Sequence, residues 1–366
     1  MKKFIFATLI CFSFAMAALA QQQQKTHLRD LRLDVLGHYG FIVPHHKSMQ
    51  HLTQSHFPGF EVTLSEQTHG KQLWEQLFKY PIKGIGLFYS PLGNNKALGQ
   101  GIAVYPYLNF RLTKGKKVNL YFRIAFGLGY LTNRFDPETN YKNIAIGTHF
   151  NAFIQLKYEM RWNMTKRLGL SAGLAFSHFS NAAFKTPNLG INIPTLNIGV
   201  SYKLYKETPE FIKNEVPDCN KKWQYEVLGG FGVNELYGAG GRKYPYFCLT
   251  GYFLKPLSLK RQLGIGLDVF YSEAVVESLG REGVVLKSKL EAIKPGLSCA
   301  YVMNFSHLAF IAQFGVYLYT KDKSTGYFFD RLALQYTVKN HYLFQLGLKT
   351  HFAKAEVLEL GVGYKF

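Results

Sequence analysis

The chain has 366 residues, a formal net charge of +20 and an aromatic content of 16%. Beyond the N-terminus, no stretch supplies the roughly 20 consecutive apolar residues that a membrane-spanning helix needs. The three cysteines after the N-terminus lack tight spacing, which argues against a disulfide framework or a cysteine-based metal site. Apolar residues alternate with polar ones, and an aromatic-rich, alternating sequence is typical of a transmembrane β-barrel.

The N-terminus has the parts of a secretory signal peptide. A basic start at residues 1–3 precedes an apolar run over 4–17, and Ala-Leu-Ala at 18–20 forms a cleavage pattern. We therefore expect residues 1–20 to be removed. The remaining chain stays basic, and basic surfaces attract polyanions. For a secreted barrel the expected partner is a phosphorylated outer-leaflet lipid and not nucleic acid, although lysines and arginines placed in turns and in the barrel interior are an alternative.

The first half of the chain contains eight candidate strands, at 32–43, 58–66, 83–92, 99–112, 117–131, 149–163, 168–181 and 195–205. Strands with one apolar and one polar face suit a closed barrel, because backbone groups exposed to lipid must all be paired. The links at 113–116 and 163–167 are short, whereas the link over 182–194 is long. Bacterial barrels keep short turns on the periplasmic side, so 182–194 is predicted to be an external loop. A short helix is expected over 73–78.

The second half repeats this pattern with candidate strands at 223–233, 244–255, 262–273, 293–305, 307–319, 328–338, 342–352 and 355–366. Between the halves, 206–222 is polar, charged and contains two prolines, which indicates a linker. The fold class is therefore all-β: a transmembrane antiparallel barrel. We predict two tandem eight-stranded barrels over 21–205 and 223–366, with one sixteen-stranded barrel as the alternative.

The last strand ends in an aromatic residue, Phe366, with Tyr364, Val362 and Leu360 on the same face. Such an end resembles the signal by which the outer-membrane assembly machinery recognises bacterial barrels. Together with the signal peptide, it predicts a location in the bacterial outer membrane.

Candidate catalytic residues follow from the parity of one strand. Even positions of 168–180 are apolar up to position 176, and the same face continues with His178 and Ser180. A serine nucleophile beside a histidine base on a lipid-facing surface would suit cleavage of acyl esters. Asn192 is the candidate for the group that orients the imidazole. It lies on the same face of the next strand if that strand begins before Pro194.

The segment His178-Phe179-Ser180-Asn181-Ala182 is followed by Lys185, Pro187-Asn188 and Gly190. This pattern resembles the lipid A 3-O-deacylase family, also called the outer-membrane acyloxyacyl hydrolases. The resemblance covers about 30–206 and extends to 223–366 only through the repeat.

The resemblance implies an eight-stranded outer-membrane barrel that hydrolyses the ester of the 3-position acyl chain on lipid A. It implies catalytic roles for His178 and Ser180 and places Asn192 where the family has a glutamate. A neutral amide can orient a histidine, but it stabilises an imidazolium less well than a carboxylate does. The family's oxyanion donors come from the loop after the serine, which makes Asn181 and Asn188 candidates.

Lys185 is a candidate to hold the phosphates of lipid A in the lipopolysaccharide of the outer leaflet. The proposed chemistry requires no cofactor and no metal. A cluster of histidines in the first external loop matches no strong metal-site spacing; its members are His45, His46, His51 and His56.

Three other interpretations remain open at this stage. The segment 169–173 fits the Gly-x-Ser-x-Gly pattern, but that motif needs a turn from strand to helix, and Ser171 lies in mid-strand. The chain could be a non-enzymatic porin or structural barrel, or a phospholipase using the same pair.

The second half has Ala353 where the first has Ser180, so it is expected to be a degenerate barrel that serves as a scaffold or binding unit.

Overall fold

The computed structural model describes residues 31–204, 210–236, 238, 241–352 and 354–366, so the expected signal peptide lies outside the described residues. The strands close into two separate eight-stranded antiparallel barrels. The prediction of two tandem barrels is confirmed, and the sixteen-stranded alternative is wrong. Within the described residues, no helix is both long enough and apolar enough to cross a membrane.

The strands of the first barrel are β1 (Leu31–Gly40), β2 (Phe57–Gln67), β3 (Ile82–Ser90), β4 (Gly101–Arg111), β5 (Val118–Leu131), β6 (Phe150–Asn163), β7 (Leu168–Ser180) and β8 (Ile191–Lys203). Each strand pairs with its neighbour in sequence, and β1 closes the barrel by pairing with β8. A short helix, α1 (Leu73–Leu77), lies between β2 and β3, as the sequence predicts.

The strands of the second barrel are β9 (Gln224–Asn234), β10 (Tyr244–Ser258), β11 (Arg261–Ser272), β12 (Lys294–Phe305), β13 (Leu308–Tyr317), β14 (Phe328–Val338), β15 (Tyr342–His351) and β16 (Lys354–Lys365). Strand β16 closes this barrel on β9. A second helix, α2 (Glu273–Arg281), follows β11. The described part of the linker, 210–223, has no regular secondary structure.

Strand β8 differs most from its predicted bounds. It begins at Ile191 and not at 195, so the loop before it spans only 181–190. Proline is rare inside strands because it lacks the N–H that the ladder uses, and Pro194 therefore hid the first part of β8 from sequence reasoning. The early start places Asn192 opposite His178 of β7.

The interior of the first barrel is filled in two layers. An apolar cluster that includes Phe88, Phe153 and Phe179 occupies the end that carries the loop 181–190. Towards the middle, the carboxylate of Glu61 forms ion pairs with Arg123 and Lys157. Its Oε1 lies 2.7 Å from Arg123 Nη1 and 2.9 Å from Lys157 Nζ, and all three side chains are fully buried. The described interior is thus packed with side chains, as expected for eight strands.

The buried ion pairs give a first prediction. Glu61→Gln removes one of the two carboxylates that Arg123 and Lys157 contact in the closed interior, Glu159 being the other. Breaking a buried pair costs about 3–5 kcal/mol. The matched control is Glu66→Gln, because Glu66 meets Lys83 at 3.4 Å where the lysine side chain is 46% exposed. An exposed pair contributes about 0–1 kcal/mol. Urea unfolding of the refolded protein in detergent should therefore separate the two variants, and equal losses of stability would contradict this account of the interior.

Candidate active site

The end of β7 presents His178 and Ser180 on the outer face of the first barrel. Outward neighbours on the same strand, Leu174 and Phe176, are 60% and 42% exposed, whereas Phe179 points inward and is fully buried. His178 and Ser180 are half-buried under the following loop. The parity prediction for the direction of these side chains thus agrees with the structure.

Asn192 lies beside the histidine on β8. Its Oδ1 is 2.6 Å from His178 Nδ1, and its Nδ2 is 3.0 Å from His45 Nδ1. A carbonyl oxygen can only accept, so His178 Nδ1 carries the proton and Nε2 keeps the lone pair of a base. This assignment follows from the orientation of the Asn192 amide, in which Oδ1 faces His178 and Nδ2 faces His45.

The hydroxyl of Ser180 is held by the loop that follows it. Asn188 Nδ2 is 3.1 Å from Ser180 Oγ, and the backbone N–H of Ala182 donates to the same oxygen at 3.2 Å. The described hydrogen bonds do not include one between His178 and Ser180, so the expected imidazole–hydroxyl contact is not formed in this state. A catalytic hydrogen bond that is absent in an unliganded enzyme can form when the substrate binds.

We define the site loop as residues 181–190. Within it, Asn188 Oδ1 accepts from the backbone N–H of Asn181 at 3.0 Å. The Asn181 side chain in turn donates to Thr148 Oγ1 at 3.0 Å and to the Lys185 carbonyl at 2.9 Å. The two asparagines therefore organise the loop around Ser180, where an ester oxygen would gain negative charge during attack.

The site loop also contains strained backbone. Ala182 and Ala183 have φ angles of 54° and 59°, a left-handed conformation that costs a non-glycine residue energy. Such residues persist where the surrounding structure holds them, and they cluster at functional sites.

The remaining sequence candidates lie elsewhere. Ser171 faces the interior of the first barrel and is buried, so the Gly-x-Ser-x-Gly pattern marks no exposed nucleophile. Glu159 on the neighbouring strand β6 is also interior and is no partner for the imidazole, because its carboxylate pairs with Lys157 at 2.9 Å. The described residues contain no group of three side chains able to hold a metal ion.

In the second barrel, the end of β15 is built differently. His351, which the repeat aligns with His178, points into the barrel and lies 2.9 Å from the hydroxyl of Tyr317. Ala353, the counterpart of Ser180, falls outside the described residues. The repeat therefore preserves the strands but not the outward placement of the histidine.

Sequence reasoning named His45 and Gly190 but connected neither of them with the environment of His178. His45 belongs to the loop after β1, far from Asn192 in sequence, and only the curvature of the closed barrel brings the two side chains together. Gly190 has a φ of 80°, and a Cβ there would lie 2.7 Å from His178 Cε1. The sequence pattern includes Gly190, but nothing in that pattern indicates its contact with the imidazole.

The fold and the site define a membrane β-barrel that gathers a serine, a histidine and an amide on its outer face. A family model described as lipid A 3-O-deacylase (PagL) matches residues 59–201, and one described as acyloxyacyl hydrolase, C-terminal domain, matches residues 223–366. Between them they account for most of both barrels. Residues 59–201 of the first barrel therefore belong to the lipid A 3-O-deacylase family, and the second barrel belongs to the C-terminal domain of the acyloxyacyl hydrolases.

Solved structures of other barrels resemble parts of the chain. Neisserial surface protein A is 9% identical, over 48% of this chain and 97% of that one, with a TM-score of 0.34. The outer membrane enzyme PagL is 16% identical, over 45% and 97%, with a TM-score of 0.31. A mutant porin of Rh. blastica is 8% identical, over 92% and 100%, with a TM-score of 0.18. A comparison with curated proteins finds no match.

The contact between Gly190 and the imidazole gives the second prediction. Gly190→Ala forces a methyl group against His178 and strains the backbone, and a displacement of about 1 Å in a catalytic group can cost roughly 10²-fold in rate. We expect a loss of that order in ester hydrolysis, measured on the refolded protein. The control is Gly37→Ala, because Gly37 is also on the first barrel and a Cβ there meets nothing within 4 Å. Unchanged hydrolysis by Gly190→Ala would contradict the placement of the histidine.

Proposed function

We propose that the first barrel removes an ester-linked acyl chain, at the 3-position, from lipid A by a serine–histidine mechanism. The observation that carries this proposal is the outward placement of Ser180, His178 and Asn192 on adjacent strands. A lipid held in the bilayer can approach that face sideways, with its acyl chain along the exposed side chains of β7 and β8.

The reaction would proceed in two steps. Ser180 Oγ attacks the ester carbonyl carbon while His178 Nε2 takes the hydroxyl proton, and the developing oxyanion is met by donors of the site loop. Collapse of the tetrahedral intermediate breaks the bond to the 3-oxygen of the sugar, which receives the proton from His178. A water molecule, activated by the same imidazole, then hydrolyses the acyl-serine and releases the fatty acid.

Asn192 would hold the imidazole in the tautomer that this mechanism requires. Its Oδ1 accepts from His178 Nδ1, while its own amide group donates towards His45. Since the amide is neutral, orientation and not charge is its contribution. Among the residues that the structure describes, no carboxylate bonds to the imidazole.

The loops around the site supply cations for the lipid A phosphates. Partial burial, followed by the charge of Arg134, lowers the pKa of Lys185. A bound phosphate would reverse this shift, because a nearby negative charge favours the protonated amine. A cavity of about 370 Å³, open at this end of the barrel, is lined by Lys96, Arg134, Asp136 and His149.

The proposed function implies one orientation of the protein in the bacterial outer membrane. The site loop would face the outside, where the outer leaflet contains lipopolysaccharide, and the end bearing α1 and the linker would face the periplasm. The last strand, β16, closes the second barrel and is followed by Phe366, whose N–H donates to the Tyr225 carbonyl at 2.9 Å. That strand would be the one the outer-membrane assembly machinery recognises.

A channel is a weaker alternative, because the described interior of the first barrel is filled by fully buried side chains such as Arg123 and Phe153. A phospholipase would use the same chemistry on a different lipid, so a panel of glycerophospholipids separates it from a lipid A deacylase.

The third prediction tests the nucleophile. In cells that contain lipid A with its full set of acyl chains, wild-type protein should remove one hydroxyacyl chain, and Ser180→Ala should not, as read by mass spectrometry of lipid A. Ser171→Ala is the matched control, because Ser171 lies on the same strand but faces the interior. Retention of activity by Ser180→Ala would refute the proposed mechanism, and so would an equal loss in both variants.

The fourth prediction concerns Asn192. Asn192→Asp keeps the acceptor oxygen and adds a negative charge, so its kcat should equal or exceed that of the wild type. Asn192→Leu keeps the size but removes the acceptor, and loss of a properly oriented base should cost about 10²-fold or more in kcat. The measurement is ester hydrolysis in mixed micelles. Equal kcat values for the leucine and aspartate variants would remove Asn192 from the mechanism.

A further inference from the structure

The site loop of the first barrel is bonded to the second barrel. The backbone N–H of Glu235 donates to the Ala183 carbonyl at 3.0 Å, and Thr186 Oγ1 donates to Glu235 Oε1 at 3.1 Å. Lys243 Nζ donates both to Glu235 Oε2, at 2.7 Å, and to the Phe184 carbonyl. The same ammonium group lies 4.5 Å from the centre of the Phe184 ring.

The two charged residues are anchored at the ends of strands. Glu235 directly follows β9, and Lys243 directly precedes β10. Glu235 is 6% exposed, and each of its carboxylate oxygens has a partner, one from the site loop and one from Lys243. A buried carboxylate satisfied from two sides fixes the distance between the groups that it joins.

We propose that the second barrel holds the site loop in its working shape, and that Glu235 is the positioning residue for Ser180 and its oxyanion donors. This inference rests on the proposed function of the first barrel. It gives the C-terminal barrel a role in the reaction without a second set of catalytic groups.

The site loop needs external support because its own backbone is strained. The contact at the Ala183 carbonyl lies directly at the pair of residues with positive φ, Ala182 and Ala183. The contacts at Phe184 and Thr186 lie in the chain between Asn181 and Asn188. Asn188 accepts a hydrogen bond from the Asn181 N–H and donates one to the Ser180 hydroxyl. Release of the middle of the loop would therefore let Asn188 move away from the serine.

A second contact at the opposite end keeps the two barrels together. There, Phe78, which follows α1, stacks on Phe305 of the second barrel with ring centres 4.4 Å apart, and Lys260 Nζ donates to the Leu77 carbonyl at 3.0 Å. The second barrel therefore remains attached when the contact at Glu235 is altered, so a variant there tests the loop and not the docking of the barrels.

Two variants of the full-length protein test the proposal. Glu235→Gln turns one acceptor oxygen into a donor that faces Lys243, and Thr186→Val removes the hydroxyl at constant size. Each should lower kcat at least tenfold while KM changes less than twofold, because the lipid still binds but the oxyanion donors are displaced. In the double variant the losses should not multiply, since both single changes weaken the same support of the site loop. Glu277→Gln in α2, an exposed pair with Arg281, is the matched control and should keep the wild-type kcat.

Hydrogen exchange of the site-loop amides gives a readout that does not need activity. In Glu235→Gln and Thr186→Val, the amides of 181–190 should exchange at least tenfold faster than in the wild type, while those of β7 and β8 keep their rates. Wild-type exchange in the loop, or a wild-type kcat in both variants, would overturn the proposal. If the wild type itself removes no acyl chain, the proposed function fails, and the exchange measurement still decides whether the second barrel holds the loop.

Discussion

Each side chain of a barrel strand points either into the interior or out to the surroundings. Because a closed sheet has no edge strands, this alternation applies to every strand of the barrel. In the first barrel, this constraint places the carboxylates of Glu61 and Glu159 inside, where they neutralise Arg123 and Lys157. It places His178 and Ser180 outside. One residue of register shift would exchange the two sets. The same strand register therefore places the charged side chains inside and the candidate site outside. Packing of the interior side chains holds the strands in that register.

The two barrels share one strand order but differ in the loops at their ends. Both halves keep eight strands closed in the same order, but only the first has an extended loop after its seventh strand. In the second half, β15 turns almost directly into β16, and His351 faces inward. A long link on the other side, which contains α1, packs against the second barrel. Loop length, and not strand number, thus distinguishes the half that carries the candidate site from the other half.

Much of this arrangement could be predicted from the sequence because it depends on period two. The strand count and the outward direction of His178 and Ser180 follow from alternation along single segments. The polar linker over 206–222 indicated the separation into two barrels. The predicted start of β8, at residue 195, was wrong because proline is rare inside strands and Pro194 made the residues before it look like a loop. Contacts between loops could not be predicted at all. His45 reaches Asn192, and Glu235 reaches Thr186, only after both barrels have closed, and no local pattern encodes such distances.

The central claim is that Ser180 is an activated nucleophile open to the bilayer, and covalent labelling tests it most directly. The folded protein in lipid vesicles would be treated with a long-chain alkyl fluorophosphonate, and the modified peptide would be mapped by mass spectrometry. The account predicts an adduct on Ser180 in the wild type, with labelling lost in His178→Ala. An unlabelled Ser180, or equal labelling in the histidine variant, would contradict it.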